Sequence, residues 1–283
     1  MTPGPTLGEM LLGIEGLALL RQADADDLSA RRARVAEMRM LLERMDRDPE
    51  FAGAAGGTEY DLGDGYRLWS ETYDRPLRLF PLEEPVMHRL FDSLPASVVL
   101  DAACGTGRHS RNLIARGHRV IGVDRSLEML DKARRNVAGG EFREGDVTAL
   151  PVETGAVDAV VCALALVHVP DVTEAIRELG RVVRPGGRVI ISDVHPFLVL
   201  LGWHAQFRSA GGEVGFMRLH RHLPSDYCRG FFAAGLRVLG CDEPLLTPEA
   251  ALTVAADRLP DANRAAFVGL PGVIVWDLQK GSP

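Results

Sequence analysis

The sequence predicts an α/β protein whose core is an open, largely parallel sheet. Three observations carry that prediction. From Ser97 onward, short apolar runs alternate with stretches of helical periodicity, a rhythm that implies parallel pairing through right-handed crossovers. The run 157–164 is almost continuously apolar, as expected of a strand buried on both faces. Hydrophobic residues make up 46% of the 283-residue chain and charged residues 25%, which is enough apolar content for a core and too much for a disordered chain.

The elements follow in order. Leu7, Met10, Leu11, Ile14 and Leu17 recur at helical spacing, and Val35, Met38, Leu42 and Met45 do so after the acidic turn Asp24-Ala-Asp-Asp27. The stretch Gly53-Ala-Ala-Gly-Gly57 reads as a linker. This divides the chain into an N-terminal helical extension, 1–60, and a main domain, 61–283. The two helices are expected to pack on the main domain as a hairpin, with a lid or a homodimer contact as the alternative. Val98-Val-Leu100 is a first strand ending at Asp101, followed by a helix over 108–116. Arg119-Val-Ile-Gly-Val123 is a second strand ending at Asp124; Ser126 caps the next helix, with Glu128 in its first turn. A third strand leads to Glu144-Gly-Asp146, and the fourth is the apolar run 157–164. A helix spans 173–182, and Pro185-Gly-Gly187 turns the chain into a fifth strand, 188–192. A helix over 225–234, a strand over 236–241, a helical segment near 247–267 and a strand over 273–278 complete the series.

Composition excludes several classes. The net charge of −7 argues against a nucleic-acid partner, whose phosphates would call for a basic face. Cys104, Cys162, Cys228 and Cys241 are scattered, which fits neither a disulfide framework nor a zinc site. Glu9 and Glu15 interrupt the first apolar stretch, so it does not read as a signal peptide. No run approaches the length of a membrane span. A cytoplasmic protein with no membrane partner is expected.

The segment Val98-Val-Leu-Asp-Ala-Ala-Cys-Gly-Thr-Gly107 carries most of the chemical information. A strand ends, and Gly105 and Gly107 let the backbone turn into a helix where open parallel sheets bind ligands. Asp124 lies 19 residues after Gly105, at the end of the next strand, where a carboxylate can take both hydroxyls of a ribose. Dinucleotide binding stays open at this point, although Ser110 stands where its fingerprint requires a third glycine. Glu144-Gly-Asp146-Val147 follows the third strand, and Arg181-Val-Val-Arg-Pro-Gly-Gly-Arg188 joins a helix end to the fifth. Arg108-His109 follows Gly107 without a P-loop lysine.

Together, and in this order, these segments resemble the class I S-adenosylmethionine-dependent methyltransferases, and within them actinobacterial natural-product enzymes. The resemblance covers about 69–278. It implies a seven-stranded Rossmann-like sheet with the last strand antiparallel, helices on both faces, and a cap insert after strand five, 194–224, over the acceptor pocket. The cofactor would be S-adenosyl-L-methionine. Asp101, Ala103 and Gly105 would hold its methionine end, Asp124 its ribose, Asp146 and Val147 its adenine, the backbone of Ala163 would face the amino group, and Arg125 would also bind the cofactor. Ala103 departs from the glycine that the family often has there.

The acceptor side is read from aromatics and histidines. Trp69 and Tyr73 are four apart and share a helical face; Tyr73 would close over the cofactor, and the bland alternative makes both rings core anchors. His168 and His195 lie just beyond the fourth and fifth strands, and His222 precedes the helix that carries Tyr227. These three histidines are the candidate bases. Phe197, Trp203 and Tyr227, with Trp69, are the candidate pocket walls, unless the insert aromatics only form a satellite core. Asp171 and Asp193 lack a third carboxylate, so no metal is expected. The expected reaction is C- or N-methylation of a small aromatic or heteroaromatic metabolite, for instance an indole. A phenolic O-methyltransferase and a cofactor-binding module without turnover are the alternatives. Cys162-Ala-Leu-Ala165 stands where an exocyclic-amine nucleic-acid enzyme would carry its Pro-Pro motif.

Overall fold

Seven strands of the predicted alternation form one sheet. A computed structural model describes residues 4–22, 28–75, 77–253 and 255–281; the acidic turn Asp24-Ala-Asp-Asp27 lies outside them. The elements are α1 (Leu7–Arg21), α2 (Leu28–Met45), β1 (Thr58–Glu59), α3 (Leu62–Ser70), α4 (Phe80–Asp92), β2 (Val98–Ala102), α5 (Arg108–Ala115), β3 (Arg119–Asp124), α6 (Leu127–Asn136) and β4 (Glu141–Glu144). They continue with β5 (Val157–Ala163), α7 (Val172–Val182), β6 (Val183–Val194), α8 (Pro196–Leu200), β7 (Ala205–Arg208), β8 (Val214–Met217), α9 (Pro224–Ala233), β9 (Leu236–Asp242), α10 (Pro260–Phe267) and β10 (Val273–Lys280). The main sheet has the order β4-β3-β2-β5-β6-β10-β9. Strands β2 to β6 pair in parallel, and β10 runs antiparallel to both neighbours.

Period-two alternation divides the core between the two faces. Along β10, Val273 and Val275 join Leu11, Phe91 and Phe267 on one face, whereas Ile274, Trp276 and Leu278 join Ile176 and Phe231 on the other. Helices α1, α4 and α10 therefore cover one side, and α7 and α9 the other. Each fully buried Leu, Ile or Phe stabilises the fold by about 1.5–3 kcal/mol before the entropy of ordering is set against it.

The N-terminal hairpin is stitched to the main sheet. Thr6 and Glu9 form a reciprocal capping box at the start of α1. Arg21, in its last turn, donates to the carbonyls of Ala265, Ala266 and Val268 at the end of α10. The apolar stripe expected on α2 is displaced. Leu42 is 50% exposed, whereas Leu41 and Arg34 are buried. The reason is Arg34, which reaches the buried Glu15 of α1 and turns that face inward. Gly53-Ala-Ala-Gly-Gly57 is held on both sides rather than free. The amide of Leu7 donates to Gly53 O at 2.8 Å, and a Cβ on Gly57 would lie 1.7 Å from Val214 O.

Two further expectations need correction. Among the described residues of the segment 247–267, only Pro260–Phe267 is an α-helix; Pro260 lacks an amide donor and begins a helix there. The turn Pro185-Gly-Gly187 lies inside β6, where Gly186 takes φ +78° and the register against β5 shifts between Val157 and Ala159.

A second, three-stranded sheet has the order β1-β8-β7. It joins residues 58–59 to the insert after β6, so α3 and the insert share a small core of Trp69, Phe207 and Met217. No helix among the described residues is long and apolar enough to cross a membrane.

Candidate functional site

The C-terminal ends of β2, β3, β5 and β6 make the floor of a cleft. The loop leaving β2 is strongly bent: Ala103, Gly105 and Gly107 take φ of +56°, +54° and +84°. Gly107 is obligatory, since a Cβ there would meet Val137 at 2.6 Å. Ala103 adopts a left-handed conformation that is unfavourable for any residue with a Cβ and that a glycine would take without strain. Ser110, the residue that spoils the dinucleotide fingerprint, donates its hydroxyl to Asp101 Oδ2 at 2.6 Å. Burial still raises the Asp101 carboxyl above its usual value.

Asp124 accepts the amide of Gly105 on Oδ2 at 2.8 Å and that of Ser126 on Oδ1 at 2.9 Å. Burial raises its pKa, these amides oppose the shift, and the charge of Asp101 adds to it. Each carboxylate oxygen retains a second lone pair, so a ribose diol would find two acceptors here and would relieve the desolvation. Asp146 folds back on Thr148, accepting from its amide at 2.9 Å and its hydroxyl at 2.8 Å. Arg125 is exposed, and its guanidinium reaches to within 3.7 Å of Asp146. Val147 is buried beside it. Ala163 ends β5, and Leu164 after it takes φ +52°, a second strained position at the cleft. The expected cofactor residues thus gather at adjoining strand ends, and the donors and acceptors present fit a nucleoside.

The roof is aromatic. Asp61 caps α3, which carries Tyr66 and Trp69 and leads into the turn with Tyr73. Trp69 lies between Tyr66 and Phe207, stacked on each at 5.7 Å, and Tyr73 meets it edge-on at 4.9 Å. Trp69 is therefore a packed anchor of the roof. Tyr73 stands over the loop, 3.9 Å from where a Cβ of Gly105 would be, and burial pushes its phenol up to about 12. Tyr66 was missed in the sequence, although it lies three residues before Trp69 and seven before Tyr73 on the same helical stripe. Burial raises its phenol well above the usual value, and Tyr73, Asp124 and Asp193 raise it further. Tyr66 therefore sits between Asp124 and the end of β6.

The three candidate histidines differ. His168 ends a short 3-10 turn, Leu166–His168, and sets its ring edge-on to Tyr66 at 5.4 Å. Its Nδ1 is shut off from solvent without a hydrogen-bond partner, and burial, aided by His220, pushes its pKa down to about 4. His195 spends both ring nitrogens on structure: Nδ1 accepts the amide of Phe197 at 3.2 Å, capping α8, and Nε2 lies 3.0 Å from Glu243. His222 donates from Nε2 to Val169 O at 2.8 Å. Tyr227 is fully buried and donates to Asp193 Oδ2 at 2.7 Å. Phe197 is 40% exposed, and Trp203 packs edge-on against Phe267 of α10 at 5.9 Å. The structure therefore does not gather Phe197 and Trp203 with Trp69. Among the described residues, no three His, Cys, Asp or Glu side chains are grouped to hold a metal, and Asp171 serves as the cap of α7.

A buried network behind the loop also escaped the sequence reading. Glu83 of α4 accepts from Arg108 at 2.6 Å and from the Ser192 hydroxyl at 2.6 Å, and lies 3.0 Å from His109 Nε2. Burial would raise this carboxyl, but His109 and Arg108 together hold it well below the carboxylate range. Arg108 also lies on the face of Phe80 at 3.9 Å. Beside it opens a cavity of about 450 Å³ lined by Tyr73, Phe80, Thr106, Gly107, Arg108 and Asn136, among others.

Residues 100–191 match a protein-family model described as a methyltransferase domain. Over 114 residues the chain is 38% identical to the malonyl-[acyl-carrier protein] O-methyltransferase of Serratia marcescens, a match covering 39% of this chain and 45% of that protein. Over 132 residues it is 35% identical to the demethylmenaquinone methyltransferase of Clavibacter sepedonicus, covering 44% and 54%. The chain thus spans about half the length of these curated relatives. Its fold matches the crystal structure of an S-adenosylmethionine-dependent methyltransferase from Mesorhizobium loti with a TM-score of 0.54 at 20% identity, covering 70% of this chain and 98% of that one. The family match contains Asp101, Asp124, Asp146, Ala163 and His168, and leaves out the aromatic roof, Asp193 and the insert.

Proposed function

We propose that this chain, built on a class I S-adenosylmethionine-dependent methyltransferase domain, transfers the methyl group of that cofactor to a small, flat, largely aromatic acceptor. The observation that carries the acceptor class is the aromatic roof in which Tyr66 stacks on Trp69 and Tyr73 meets Trp69 edge-on, with Tyr73 over the loop that leaves β2. Aromatic walls with few polar groups suit a planar ring. A relative named as a demethylmenaquinone methyltransferase is in line with this reading, and one named as a malonyl-[acyl-carrier protein] O-methyltransferase favours a non-aromatic acceptor instead; the aromatic roof is the reason for preferring the ring. Indoles and phenols both belong to the class.

When bound, the cofactor supplies an electrophilic methyl group on a sulfonium, with no phosphate to hold. Asp124 takes the ribose hydroxyls, and the bent loop from Asp101 to Gly107 takes the amino-acid end. Asp146 and Val147 border the adenine. Tyr73, above Gly105, closes the loop to water and offers an aromatic face to positive charge. The remaining work is placement, with the acceptor atom held in line at near-attack distance. His168 is neutral near pH 7, because burial keeps its pKa at about 4, and it is free to accept the proton that a ring oxygen, nitrogen or carbon gives up. His195, with both ring nitrogens in structural bonds, and His222, whose Nε2 donates to Val169 O, act as supports. A small acceptor also agrees with the net charge of −7.

The test is radiolabelled methyl transfer to a panel of indoles, naphthols and hydroxynaphthoquinones, with a malonyl thioester beside them. Label in a ring acceptor and none in the thioester is expected. Label in the thioester alone, or in nothing, would overturn the acceptor class.

A further inference from the structure

The cavity beside Arg108 is set apart from the floor of the cleft. Its walls come from the turn after Tyr73, the start of α4, one face of α5 and the end of α6, and Asp101, Asp124, Asp146, Ala163 and His168 are not among them. Three guanidiniums line it, those of Arg75, Arg108 and Arg111, although the chain as a whole carries a net charge of −7. The two acids beside them are already met. Arg108 Nη1 donates to Glu84 at 3.1 Å as well as to Glu83, and Asp74 has Lys132 at 4.0 Å and Asn136 Nδ2 at 3.5 Å. The guanidiniums of Arg75 and Arg111, by contrast, have no hydrogen bond or ion pair among the described residues, and Nε and Nη2 of Arg108 have no hydrogen bond there. Thr106 points to a ligand independently. It is only 4% exposed, it lines the cavity, and its hydroxyl has no partner, whereas buried hydroxyls are normally bonded.

We propose that this cavity is a binding site for a small organic carboxylate with a flat, apolar body, separate from the cofactor. The unpaired guanidiniums of Arg75 and Arg111, with the spare donors of Arg108 and the Thr106 hydroxyl, take the charge, since the planar guanidinium fork matches a carboxylate. Tyr73, Leu77 and Phe80 supply the apolar wall, and Arg108 is held in place on the Phe80 ring. Size separates this ligand from a lone carboxylate: the volume of about 450 Å³ falls in the range of about 300–1,000 Å³ that holds a whole small molecule. Tyr73, Thr106 and Gly107 border both this cavity and the glycine loop, so the two sites are neighbours that fill together. The site stands on its own residues and does not rest on the methyl-transfer reading.

The experiment is calorimetric titration of the full chain, saturated with S-adenosylhomocysteine, with 2-naphthoate and with its uncharged isostere 2-naphthamide at constant ionic strength. Saturable binding of the naphthoate with a Kd below about 1 mM is expected. The amide, which cannot pair with a guanidinium, should bind at least about tenfold more weakly. Arg75 and Arg111 are both exposed, so the double variant Arg75→Gln/Arg111→Gln is expected to fold. It should weaken naphthoate binding at least about fivefold and leave the affinities for the amide and for S-adenosylhomocysteine within about twofold. Absence of naphthoate binding, equal affinities for naphthoate and amide, or a naphthoate affinity unchanged in the double variant would overturn the proposal. So would displacement of the naphthoate by S-adenosylhomocysteine, because the arginines would then serve the cofactor's own carboxylate. Failure of the wild type to bind S-adenosylhomocysteine would instead count against the methyl-transfer reading, and the naphthoate titrations carried out without it would still decide the site.

Discussion

The amide of Gly105 donates to Oδ2 of Asp124 at 2.8 Å, so the carboxylate that ends one sheet strand also ties down the glycine loop that ends its neighbour. One side chain thereby shapes the loop and, under the proposed cofactor assignment, would offer two acceptor oxygens to the ribose. Asp124→Ala loses both functions. Hydrogen bonds to a charged group contribute about 1.5–3 kcal/mol, so S-adenosylhomocysteine affinity is expected to fall at least about tenfold. Asp124→Asn, which keeps one acceptor oxygen, should fall less; equal affinities for wild type and Asp124→Ala would contradict the ribose assignment.

Ser110 is a buried donor to Asp101, not a failed glycine. Ser110→Ala leaves a buried carboxylate oxygen without its hydroxyl partner, at about 1–3 kcal/mol of stability. Urea denaturation reads this as a lower midpoint at unchanged slope. A midpoint equal to that of wild type would mean that Asp101 finds another donor.

His195 caps α8 and meets Glu243. His195→Ala is expected to remove about 1 kcal/mol of helix capping, whereas His195→Asn keeps an acceptor for the Phe197 amide. Turnover should therefore survive in His195→Asn. Loss of turnover at full stability in that variant would return His195 to the role of base.

Asp193 gives stability a definite pH sign. Its folded pKa, about 7, lies above the ordinary aspartate value, so the folded state binds the extra proton between about 4 and 7. Its contribution is complete below the unfolded pKa and is lost as pH rises through 7. At about 1.4 kcal/mol per pKa unit the upper bound is near 4 kcal/mol. Asp193→Asn should accordingly compare better with wild type at pH 8.5 than at pH 5.5 in paired thermal melts. The reverse order would mean that the carboxyl is stabilised as an anion.

Much of this organisation was readable in the sequence, for identifiable reasons. Strands buried on both faces read as unbroken apolar runs, and Gly105 and Gly107 marked the turn that leaves β2, so the strands and the loop were legible; the left-handed turn at Ala103 was not announced by its residue type. Partners brought together from afar were not. Glu83 meets Ser192 across 109 positions, and His195 meets Glu243 across 48. No local pattern announces such a pair, so a structural histidine and a free one look alike. The insert shows the same limit. Its aromatics were read together, but Phe207 goes under Trp69 and Trp203 against α10, because adjacent turns of chain face different layers. Tyr66 was available from the stripe it shares with Trp69 and Tyr73, and Asp193 became informative only once Tyr227 was seen to lie on it.

The central claim is that the cleft above β2 and β3 binds S-adenosylmethionine. Calorimetric titration with S-adenosylhomocysteine, with NADH as the control, tests it most directly. Micromolar binding of the first and none of the second is the predicted result. Binding of NADH, or of neither, would contradict it.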